Sequence, residues 1–346
     1  MDLRLAIIGA TGLVGRELLR IIESKQPPLS ALGLYASADS AGAIVRALAE
    51  DIEVRPLVEC DFSKYDAALF CVGDELSLKH VPAALDAGCS VVDKSNAFRL
   101  DPGVPLVVAG VNDDAVTANS RLVANPNCST IVLAHAIGPL AARFGIARLW
   151  VATYQSVSGA GRRAVEGLRR QVEQPGICDS LLAREPGLES GLAFNVIPSI
   201  GEIDELGRCS EEAKLCEETR KILGMAELVV IAHSARVPVV IGHGIAVTVE
   251  LEQPASEEGL LSAWRESSHL RLMEQQLPTP LSAARHEQVE VGRLRQEGQL
   301  ENGWSFFVCG DNLNIGAALN GWRILGLMQM AGAVPAAAVP VGRSDA

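Results

Sequence analysis

The first third of the chain alternates short apolar runs with stretches of helical spacing. Residues 3–8 predict a buried strand, and residues 15–24, which follow a glycine-rich turn, predict a helix. Further apolar runs predict strands at residues 32–37, 66–72, 89–93, 105–110 and 121–125. Helical stretches separate several of these strands, an alternation typical of the α/β class. We therefore predict a Rossmann-type, doubly wound parallel sheet.

From about residue 146 onward, longer segments alternate apolar and polar positions. Strands are expected there at residues 146–155, 246–252, 288–295 and 304–310. Val247, Val249 and Leu251 share one face of their strand, as in a sheet covered on one side. Helices are expected at about residues 159–173, 210–223, 256–269 and 312–331. The pattern predicts a second, α+β domain with a mixed or antiparallel sheet.

Composition narrows the range of partners. The 346 residues carry a formal net charge of -12, which would repel a phosphate backbone or an anionic lipid surface. Neither nucleic acid nor membrane is therefore expected as a partner. The segment MDLRLAIIGATG contains a short apolar run broken by glycines, unlike a signal peptide or a membrane span, so we expect a cytoplasmic protein. The eight cysteines are scattered without zinc spacing, and no metal site is expected.

The turn GATGLVG, from Gly9 to Gly15, joins the first predicted strand to the first predicted helix. Glycines at this place let a pyrophosphate approach the N-terminus of the helix. A turn needed only for packing between helix and sheet is the alternative interpretation. The strand before the turn and the helix after it favour nucleotide binding.

The segment ANPNCST places Cys128 immediately before the helical stretch IVLAHAIGPLAARF. A cysteine in the first turn of a helix lies at the positive end of the helix dipole, which stabilises the thiolate. Cys128 is therefore a candidate nucleophile. On position alone, a buried structural cysteine is an equally good interpretation.

The segment TYQSVSGAG, residues 153–161, is a polar, glycine-rich turn between a predicted strand and a predicted helix. It offers backbone N–H groups and the Gln155 amide to a ligand above the sheet edge. Taken alone, the same turn could be a helix N-cap, a role that suits Ser158.

The segment RVPVVIGHG begins at Arg236 and contains His243. Arg236 offers a planar fork for a carboxylate, and His243 can donate or accept a proton near neutral pH. A buried ion pair and a hydrogen-bonded loop histidine are the alternatives. Arg99, Glu211 and Lys214 would likewise be solvated charges in an unrelated protein.

Taken together, these segments resemble the aspartate-semialdehyde dehydrogenase family. The match runs from GATGLVG to DNLNIGAALN and covers nearly the whole chain. It is carried by the segments NAFR, VNDD, ANPNCST, TYQSVSGAG, AFNVIP, EEAKLCEETRKIL, RVPVVIGH and GDNL with GAALN. So long and ordered a set does not arise by chance, and it favours the catalytic interpretation of each segment.

The resemblance implies reduction of L-aspartyl 4-phosphate to L-aspartate 4-semialdehyde, on the route to lysine, methionine and threonine. Cys128 would attack the acyl phosphate to give a thioester. His243 would be the general acid–base group, taking the thiol proton and later serving the thiohemiacetal oxygen, while Gln155 would orient the acyl group. The substrate would be bound by a further set of polar residues: Arg236 at the α-carboxylate, Arg99 and Lys214 at the phosphate, and Asn127 and Glu211 at the pocket wall.

The resemblance also implies a nicotinamide cofactor, NADP by family default. The residues expected to bind it are Gly9, Thr11, Gly12, Leu13 and Val14 in the glycine turn, Ser37, Asp39 and Ser40 after the second strand, and Ser158, Gly159 and Asn312 on the nicotinamide side. Asp39 occupies a place where the family usually has an arginine that pairs with the 2′-phosphate of NADP. An acidic residue there would favour the free ribose hydroxyl of NAD.

The same resemblance divides the chain. Residues 1–127, completed by the helix at 312–331, would bind NAD(P), and residues 128–311 would carry catalysis and dimerisation. Residues 332–346 are expected to form a flexible tail. The protein would be a homodimer or a homotetramer, assembled through the sheet of the second domain.

Three further places differ from the family pattern. Ala109-Gly110 replaces Pro-Glu, Asp-Lys-Ser-Asn ending at Asn96 replaces Asp-Asn-Ser-Ser, and Asn314-Ile315 replaces a basic pair. Each lies near an expected ligand. These differences bear on substrate or cofactor preference rather than on the fold.

Two other functions stay open. N-acetylglutamyl-phosphate reductase shares the fold, the thioester route and the glycine turn, but its cysteine motif is usually Pro-Gly-Cys-Tyr, whereas this chain has Pro-Asn-Cys-Ser. A non-catalytic homologue with a binding role is the second alternative. The presence of Cys128, Gln155, Arg236 and His243 argues against it.

Overall fold

The computed structural model describes residues 2–174 and 191–334, which belong to two compact units. The first unit contains the residues up to Pro126 and those from Ala317 onward, and the second runs from Asn127 to Gly316. The sequence-based boundary follows residue 127. Within the expected flexible tail, Val334 is buried, and residues 335–346 lie outside the described part of the chain.

The first unit is built on a seven-stranded sheet with the order β3-β4-β2-β1-β5-β6-β7. Its strands are β1 (Leu3–Ile8), β2 (Leu29–Ala36), β3 (Ile44–Ala47), β4 (Glu50–Pro56), β5 (Ala67–Phe70), β6 (Ser90–Asp93) and β7 (Leu122–Ala124). The helices of this unit are α1 (Leu13–Lys25), α2 (Asp74–Asp86) and α8 (Leu319–Met330). All neighbouring strands pair in parallel except β3 and β4. The predicted Rossmann-type parallel sheet is confirmed.

The β3–β4 hairpin at the sheet edge was not predicted from the sequence. Its strands alternate charged and apolar residues over a short length, with Arg46 paired to Asp51 across the two strands at 3.1 Å. Ile44 is 63% exposed, in contrast to the fully buried Ile7 of β1. An edge hairpin of this kind lacks the continuous apolar run that marks a central parallel strand.

The strand expected at residues 105–110 does not form. Its apolar side chains are buried as expected, but the backbone makes a single bridge, from Leu106 to Ala124. Two asparagine amides take the place of a neighbouring strand: Asn112 bonds to the backbone of Leu106 and Val108, and Asn320 to that of Val107 and Ala109. Periodicity detects the burial of this segment but not the source of its hydrogen bonds.

The second unit contains a six-stranded sheet with the order β11-β12-β13-β10-β8-β9. The strands are β8 (Ile146–Gln155), β9 (Val229–Arg236), β10 (His243–Leu251), β11 (Leu270–Met273), β12 (Val289–Glu297) and β13 (Gly303–Gly310). The pairs β8–β9 and β11–β12 are parallel, and the others are antiparallel. The expected mixed sheet is confirmed, although β9 and β11 were missed.

Helix α3 (Cys128–Phe144) lies against this sheet, and the other helices of the unit are α4 (Arg162–Glu173), α5 (Ser210–Leu223), α6 (Glu257–Arg265) and α7 (Pro280–Ala283). Val247, Val249 and Leu251 are buried, as their alternation predicts. No helix of the described residues is long and apolar enough to cross a membrane.

Three expected helices differ in extent. Residues Val157–Ala160 form a 3-10 turn, and α4 starts only after Gly161, whose φ of 93° breaks the helix. Helix α6 ends at Arg265, which leaves room for β11. The C-terminal helical segment opens with a π-helix at Asn314–Ala318 before α8.

Candidate active site

Cys128 is the first residue of α3, the helix that packs against the sheet of the second unit. The helix cap is Asn127, whose Oδ1 accepts from the Ser129 N–H at 2.8 Å. The Asn127 backbone N–H donates to Oε2 of Glu218 at 2.7 Å. The first turn of α3 contains no acidic residue, and Cys128 is partly exposed. The thiol therefore lies at the positive end of the helix dipole, and hydrogen bonds fix the backbone on either side of it, at Asn127 and Ser129.

His243 begins β10 and is fully buried. Its Nε2 lies 3.2 Å from Sγ of Cys128, so the predicted nucleophile and its predicted partner are in contact. On the other side of the ring, Nδ1 accepts from the backbone N–H of Ser156 at 3.1 Å. Burial, and to a smaller extent the positive charge of Arg236, lower the pKa of His243 to about 3. The imidazole is therefore neutral at neutral pH.

Asn312 and Ser158, expected on the cofactor side, form a buried pair behind His243. Oδ1 of Asn312 accepts from the N–H of Gly242 at 2.9 Å and lies 3.1 Å from the Ser156 hydroxyl. Its Nδ2 donates to the Ser158 hydroxyl at 2.9 Å. Ser158 does not cap α4, because the cap residue is Gly161. Asn312 thus fixes the Ser156 hydroxyl and the backbone of Gly242, the residue directly before His243.

Gln155 ends β8 and is buried. Its Nε2 donates to Oε1 of Glu211 at 3.0 Å and to the Thr153 hydroxyl at 3.2 Å, and Thr153 in turn bonds to Ser234 at 3.0 Å. Because Nε2 is used within the protein, the group of this amide that a ligand can reach is its carbonyl oxygen, an acceptor.

Glu211, on α5, joins two of the predicted residues. Besides Gln155, it accepts from Nδ2 of Asn127 at 2.9 and 3.1 Å. Both polar ends of Asn127 are thus engaged within the protein. Lys214 lies one turn further along α5, and among the described residues no hydrogen bond or ion pair engages its ammonium group.

Arg236 ends β9 and is buried. Its Nη1 donates to the carbonyl oxygen of Ser156 at 2.9 Å. A Cβ at Gly159 would lie 3.2 Å from the same nitrogen, so a side chain there would crowd the guanidinium group. The guanidinium group is therefore positioned by the same short segment that contacts His243.

Arg99 belongs to the first unit, where it is buried and its guanidinium donates to the carbonyl oxygens of Asn125 at 3.0 Å and Lys94 at 2.8 Å. The backbone thereby fixes the direction of this cation.

One of the places where the chain differs from the family pattern is Asn314-Ile315. Both residues are fully buried, so no charge replaces the usual basic pair at this point.

The glycine turn of the first unit is packed closely against backbone carbonyl groups. A Cβ at Gly9, whose φ is 88°, would lie 2.4 Å from the carbonyl oxygen of Cys71, and a Cβ at Gly15 would lie 2.2 Å from that of Gly9. Gly12 caps α1 without a side-chain hydrogen bond. The first-turn N–H groups, at Leu13 and Val14, are therefore left for an anion rather than for a side chain of the turn.

The loop after β2 is exposed. Ala38–Ser40 forms one 3-10 turn, Ser37 and Asp39 face solvent, and the hydroxyls of Ser37 and Ser40 are 3.5 Å apart.

Within the described residues, no group of three or more His, Cys, Asp and Glu side chains could hold a metal ion.

Sequence reasoning missed two groups of the site. Ser156 acts through its backbone N–H, for which the sequence carries no signal. Glu218 supports Asn127, and its spacing of seven residues from Glu211 on one helix could have indicated a shared face.

Comparison with known proteins identifies two matching domain families. Residues 4–119 match "Semialdehyde dehydrogenase, NAD binding domain", and residues 137–315 match "Semialdehyde dehydrogenase, dimerisation domain". An aspartate-semialdehyde dehydrogenase of Prochlorococcus marinus is 36% identical over 330 residues, 94% of this chain and 96% of that protein. One from Shewanella violacea is 37% identical over 328 residues, 93% of this chain and 96% of that protein.

A solved structure has the same fold. The crystal structure of aspartate semialdehyde dehydrogenase II from Vibrio cholerae, complexed with ASA, matches with a TM-score of 0.91 and 34% identity. The match covers 95% of this chain and 99% of that chain.

Proposed function

Because this chain belongs to the aspartate-semialdehyde dehydrogenase family, we propose that it reduces L-aspartyl 4-phosphate to L-aspartate 4-semialdehyde with a nicotinamide cofactor. Phosphate is the second product, and the aldehyde feeds the synthesis of lysine, methionine and threonine. The observation that carries the proposal is the 3.2 Å contact between Sγ of Cys128 and Nε2 of His243. It joins a nucleophile at a helix N-terminus to a group that can hold a proton.

Cys128 attacks the acyl carbon, and phosphate leaves as the thioester forms. A covalent route divides one difficult step into two easier ones. The helix dipole of α3 and the Nε2 side of His243 stabilise the sulfur as an anion. The carbonyl oxygen of Gln155 is held toward the site by Glu211 and Thr153 and orients the bound acyl group.

Three cations bind the anionic ends of the substrate. Arg236 pairs with the α-carboxylate, for which its planar fork is suited. Lys214, whose ammonium is not engaged by the described residues, and Arg99 bind the departing phosphate. Asn127 and Glu211 shape the pocket by fixing each other and Gln155.

A nicotinamide cofactor would be held by the glycine turn, with its pyrophosphate at the N–H groups of Leu13 and Val14 beside Gly9, Thr11 and Gly12. When bound, it supplies the hydride that reduces the thioester. Gly159, with Ser158 and Asn312 behind it, forms the nicotinamide side.

The preference between NAD and NADP is set by the loop after β2. Asp39 accepts a hydrogen bond from the free 2′-hydroxyl of NAD and repels the 2′-phosphate of NADP, while Ser37 and Ser40 remain as neutral partners. Arg46 pairs with Asp51 at 3.1 Å on the exposed surface of the β3–β4 hairpin. We infer that this enzyme uses NAD unusually well for its family.

The first unit binds the cofactor, and the second carries catalysis and dimerisation. The matching dimerisation domain supports a homodimer, and so does the sheet face opposite α3. On that face Tyr154 is 42% exposed, and Val229 and Ile231 are each 47% exposed. A second copy would bury these apolar side chains. We place the enzyme in the cytoplasm.

One assay tests the function. Purified protein is given L-aspartate 4-semialdehyde, phosphate and NAD or NADP, and formation of the reduced cofactor is followed by absorbance. Phosphate-dependent oxidation is expected, with N-acetylglutamate semialdehyde a poor substrate. A preference for N-acetylglutamate semialdehyde would indicate the related reductase, and no turnover of either aldehyde would indicate a non-catalytic homologue.

A further inference from the structure

The first unit carries a cation, Lys94, to which the proposed function gives no role. Lys94 directly follows β6, and its backbone N–H donates to the carbonyl oxygen of Phe70, the last residue of β5, at 3.1 Å. It is the lysine of the segment Asp-Lys-Ser-Asn, at a place where the family pattern has an asparagine. Ligands of open parallel sheets bind in the crevice outside the carboxyl ends of the strands. Lys94 therefore lies at the edge of the sheet where a dinucleotide binds.

The strand order indicates which half of the cofactor lies on the side of Lys94. The sheet runs β2-β1-β5-β6, so β2 and β5 lie on opposite sides of β1 and its glycine turn. In the proposed function the loop after β2 binds the adenosine ribose. The nicotinamide half then extends toward β5 and β6. Lys94 follows β6, two strands from β1, which is about 10 Å at the usual spacing of neighbouring strands.

Cys71, which follows β5, lies between Lys94 and the glycine turn. Its N–H donates to the carbonyl oxygen of Ile8 at 2.7 Å, and its own carbonyl oxygen is the atom that a Cβ at Gly9 would meet at 2.4 Å. Burial raises the pKa of the Cys71 thiol to about 11, and the positive charge of Lys94 acts in the opposite direction. The ammonium group is therefore near enough to influence this thiol, on the side of β6 that faces the glycine turn.

The backbone on both sides of Lys94 is fixed. Before it, Asp93 is buried, and its carboxylate accepts from the Ser77 hydroxyl at 2.7 Å. After it, the N–H of Asn96 donates to Oδ1 of Asp74 at 2.7 Å. Because this segment is already ordered, an anion that binds the ammonium group orders the lysine side chain but not the backbone that carries it.

The neighbouring cation, Arg99, is directed elsewhere. Its Nη2 donates to the carbonyl oxygen of Lys94 at 2.8 Å, and its Nε donates to that of Asn125, which follows β7, at 3.0 Å. The guanidinium group is thus held on the β7 side of Lys94, whereas the ammonium group acts on Cys71 on the β5 side. The two cations therefore serve different anions.

We propose that Lys94 binds the phosphate on the nicotinamide half of the cofactor and adds a positive charge to the backbone N–H groups of the glycine turn. The inference rests on the nicotinamide cofactor of the proposed function and adds a binding residue to it. A diphosphate carries two negative charges, and a lysine ammonium is a compact phosphate ligand. In a chain of net charge -12, such a local cation offsets the repulsion that a diphosphate meets.

Calorimetric titration of the full-length protein with three ligands tests the assignment. AMP carries only the phosphate on the adenosine side, ADP-ribose carries both phosphates, and NAD adds the nicotinamide. Lys94→Asn should raise the Kd of ADP-ribose and of NAD by about tenfold, the effect of one hydrogen bond between charged groups, and leave that of AMP unchanged. Unchanged affinity for ADP-ribose, or an equal loss for AMP, would overturn the proposal.

Two further variants separate the contact from the net charge. Lys79→Asn makes the same charge change at an exposed position in the middle of α2 and should leave all three affinities unaltered. Lys94→Arg keeps the charge and should lie between wild type and Lys94→Asn. Thermal unfolding curves establish that each variant is folded. A loss in Lys79→Asn as large as that in Lys94→Asn would mean that net charge, and not Lys94, governs cofactor binding.

A phosphate titration distinguishes the cofactor from the substrate as the ligand of Lys94. At saturating NAD and aldehyde, Lys94→Asn should keep the wild-type KM for phosphate. A raised KM for phosphate with an unchanged Kd for ADP-ribose would place Lys94 beside Arg99 at the substrate phosphate, and the proposal would be wrong. Calorimetry does not depend on turnover. Failure of the aldehyde assay with the expected pattern of affinities would therefore refute the proposed reaction and support this inference.

Discussion

The two places where this protein meets its ligands are built differently. Around Cys128 in the second unit, the polar side chains are mostly buried and bonded to one another, as in the chain of contacts from Cys128 through His243 and Ser156 to Asn312. The loop from Ser37 to Ser40 in the first unit is exposed, and its side chains are joined by one 3.5 Å contact.

This difference suggests that the buried region determines the rate of the reaction and that the exposed loop determines the choice between NAD and NADP. A buried network holds reacting groups within fractions of an ångström, and removal of one member leaves others without partners. An exposed loop can change its charge without disturbing the fold, and thereby select one cofactor over another. We therefore expect large losses of rate from the first region and modest changes of preference from the second.

Cys128→Ala should give the largest effect. It removes the nucleophile and one sulfur atom of volume, so turnover should fall by roughly a thousandfold or more while the thermal unfolding curve stays close to wild type. Cys216→Ala is the matched control, because burial raises the pKa of the Cys216 thiol and the reaction does not use it. If Cys128→Ala kept a tenth of wild-type activity, the thioester route would be wrong.

His243→Asn should rank second. The shorter side chain removes the imidazole from the sulfur, and loss of a general acid–base group lowers turnover by about a hundredfold or more. Steady-state kinetics should show the loss in kcat and little change in KM for the aldehyde. A raised KM with normal kcat would place His243 in substrate binding instead.

Arg236→Leu should weaken use of the amino-acid aldehyde by about 2 to 5 kcal/mol in kcat/KM, the cost of leaving a bound carboxylate without its partner. Arg236→Lys is the control, since it keeps the charge but loses the planar fork, and should lie between Leu and wild type. Equal defects with a substrate analogue that lacks the carboxylate would show that the loss comes from the Ser156 contact.

Lys214→Ala should chiefly raise KM for phosphate, by about tenfold if one charge-assisted hydrogen bond is lost. The measurement is the phosphate dependence of aldehyde oxidation at saturating aldehyde. Unchanged phosphate dependence with weakened aldehyde binding would reverse the assignments of Lys214 and Arg236.

Asp39→Arg should have the smallest effect on the reaction. It is the change that best distinguishes the exposed loop, which sets cofactor preference, from the buried site, which sets the rate. The ratio of kcat/KM for NADP to that for NAD should rise, because an arginine pairs with the 2′-phosphate. Glu59→Arg, at another exposed carboxylate of the same unit, makes the same charge change and should leave the ratio unaltered. A strong native preference for NADP that persists in Asp39→Arg would show that this residue does not contact the ribose.

The sequence was most informative where burial repeats along the chain. The apolar runs of β1, β5 and β6 predicted the parallel sheet, and the alternation of Val247, Val249 and Leu251 predicted a covered face. The sequence could not show that side-chain amides replace a strand at residues 105–110. The Asn112 bond to Val108 is a local turn without a signal in the apolar pattern, and the Asn320 bond to Ala109 joins residues 211 positions apart.

The same limit applies to the site. The start of a helix made Cys128 a candidate nucleophile, but position alone did not separate it from a structural cysteine, and the choice came from the family resemblance. The structure places its sulfur 3.2 Å from Nε2 of His243. Ser156 could not be predicted, because its backbone N–H is common to every residue except proline. A sequence can indicate that a residue begins a helix, but which backbone group donates to which side chain is known only from the folded structure.

Trapping of the acyl-enzyme tests the central claim most directly. The protein is incubated with L-aspartate 4-semialdehyde and oxidised cofactor without phosphate, then digested and examined by mass spectrometry. We predict an aspartyl adduct on the peptide that contains Cys128, absent in Cys128→Ala and discharged when phosphate is added. Full turnover with no adduct, or with an adduct on another cysteine, would contradict the account.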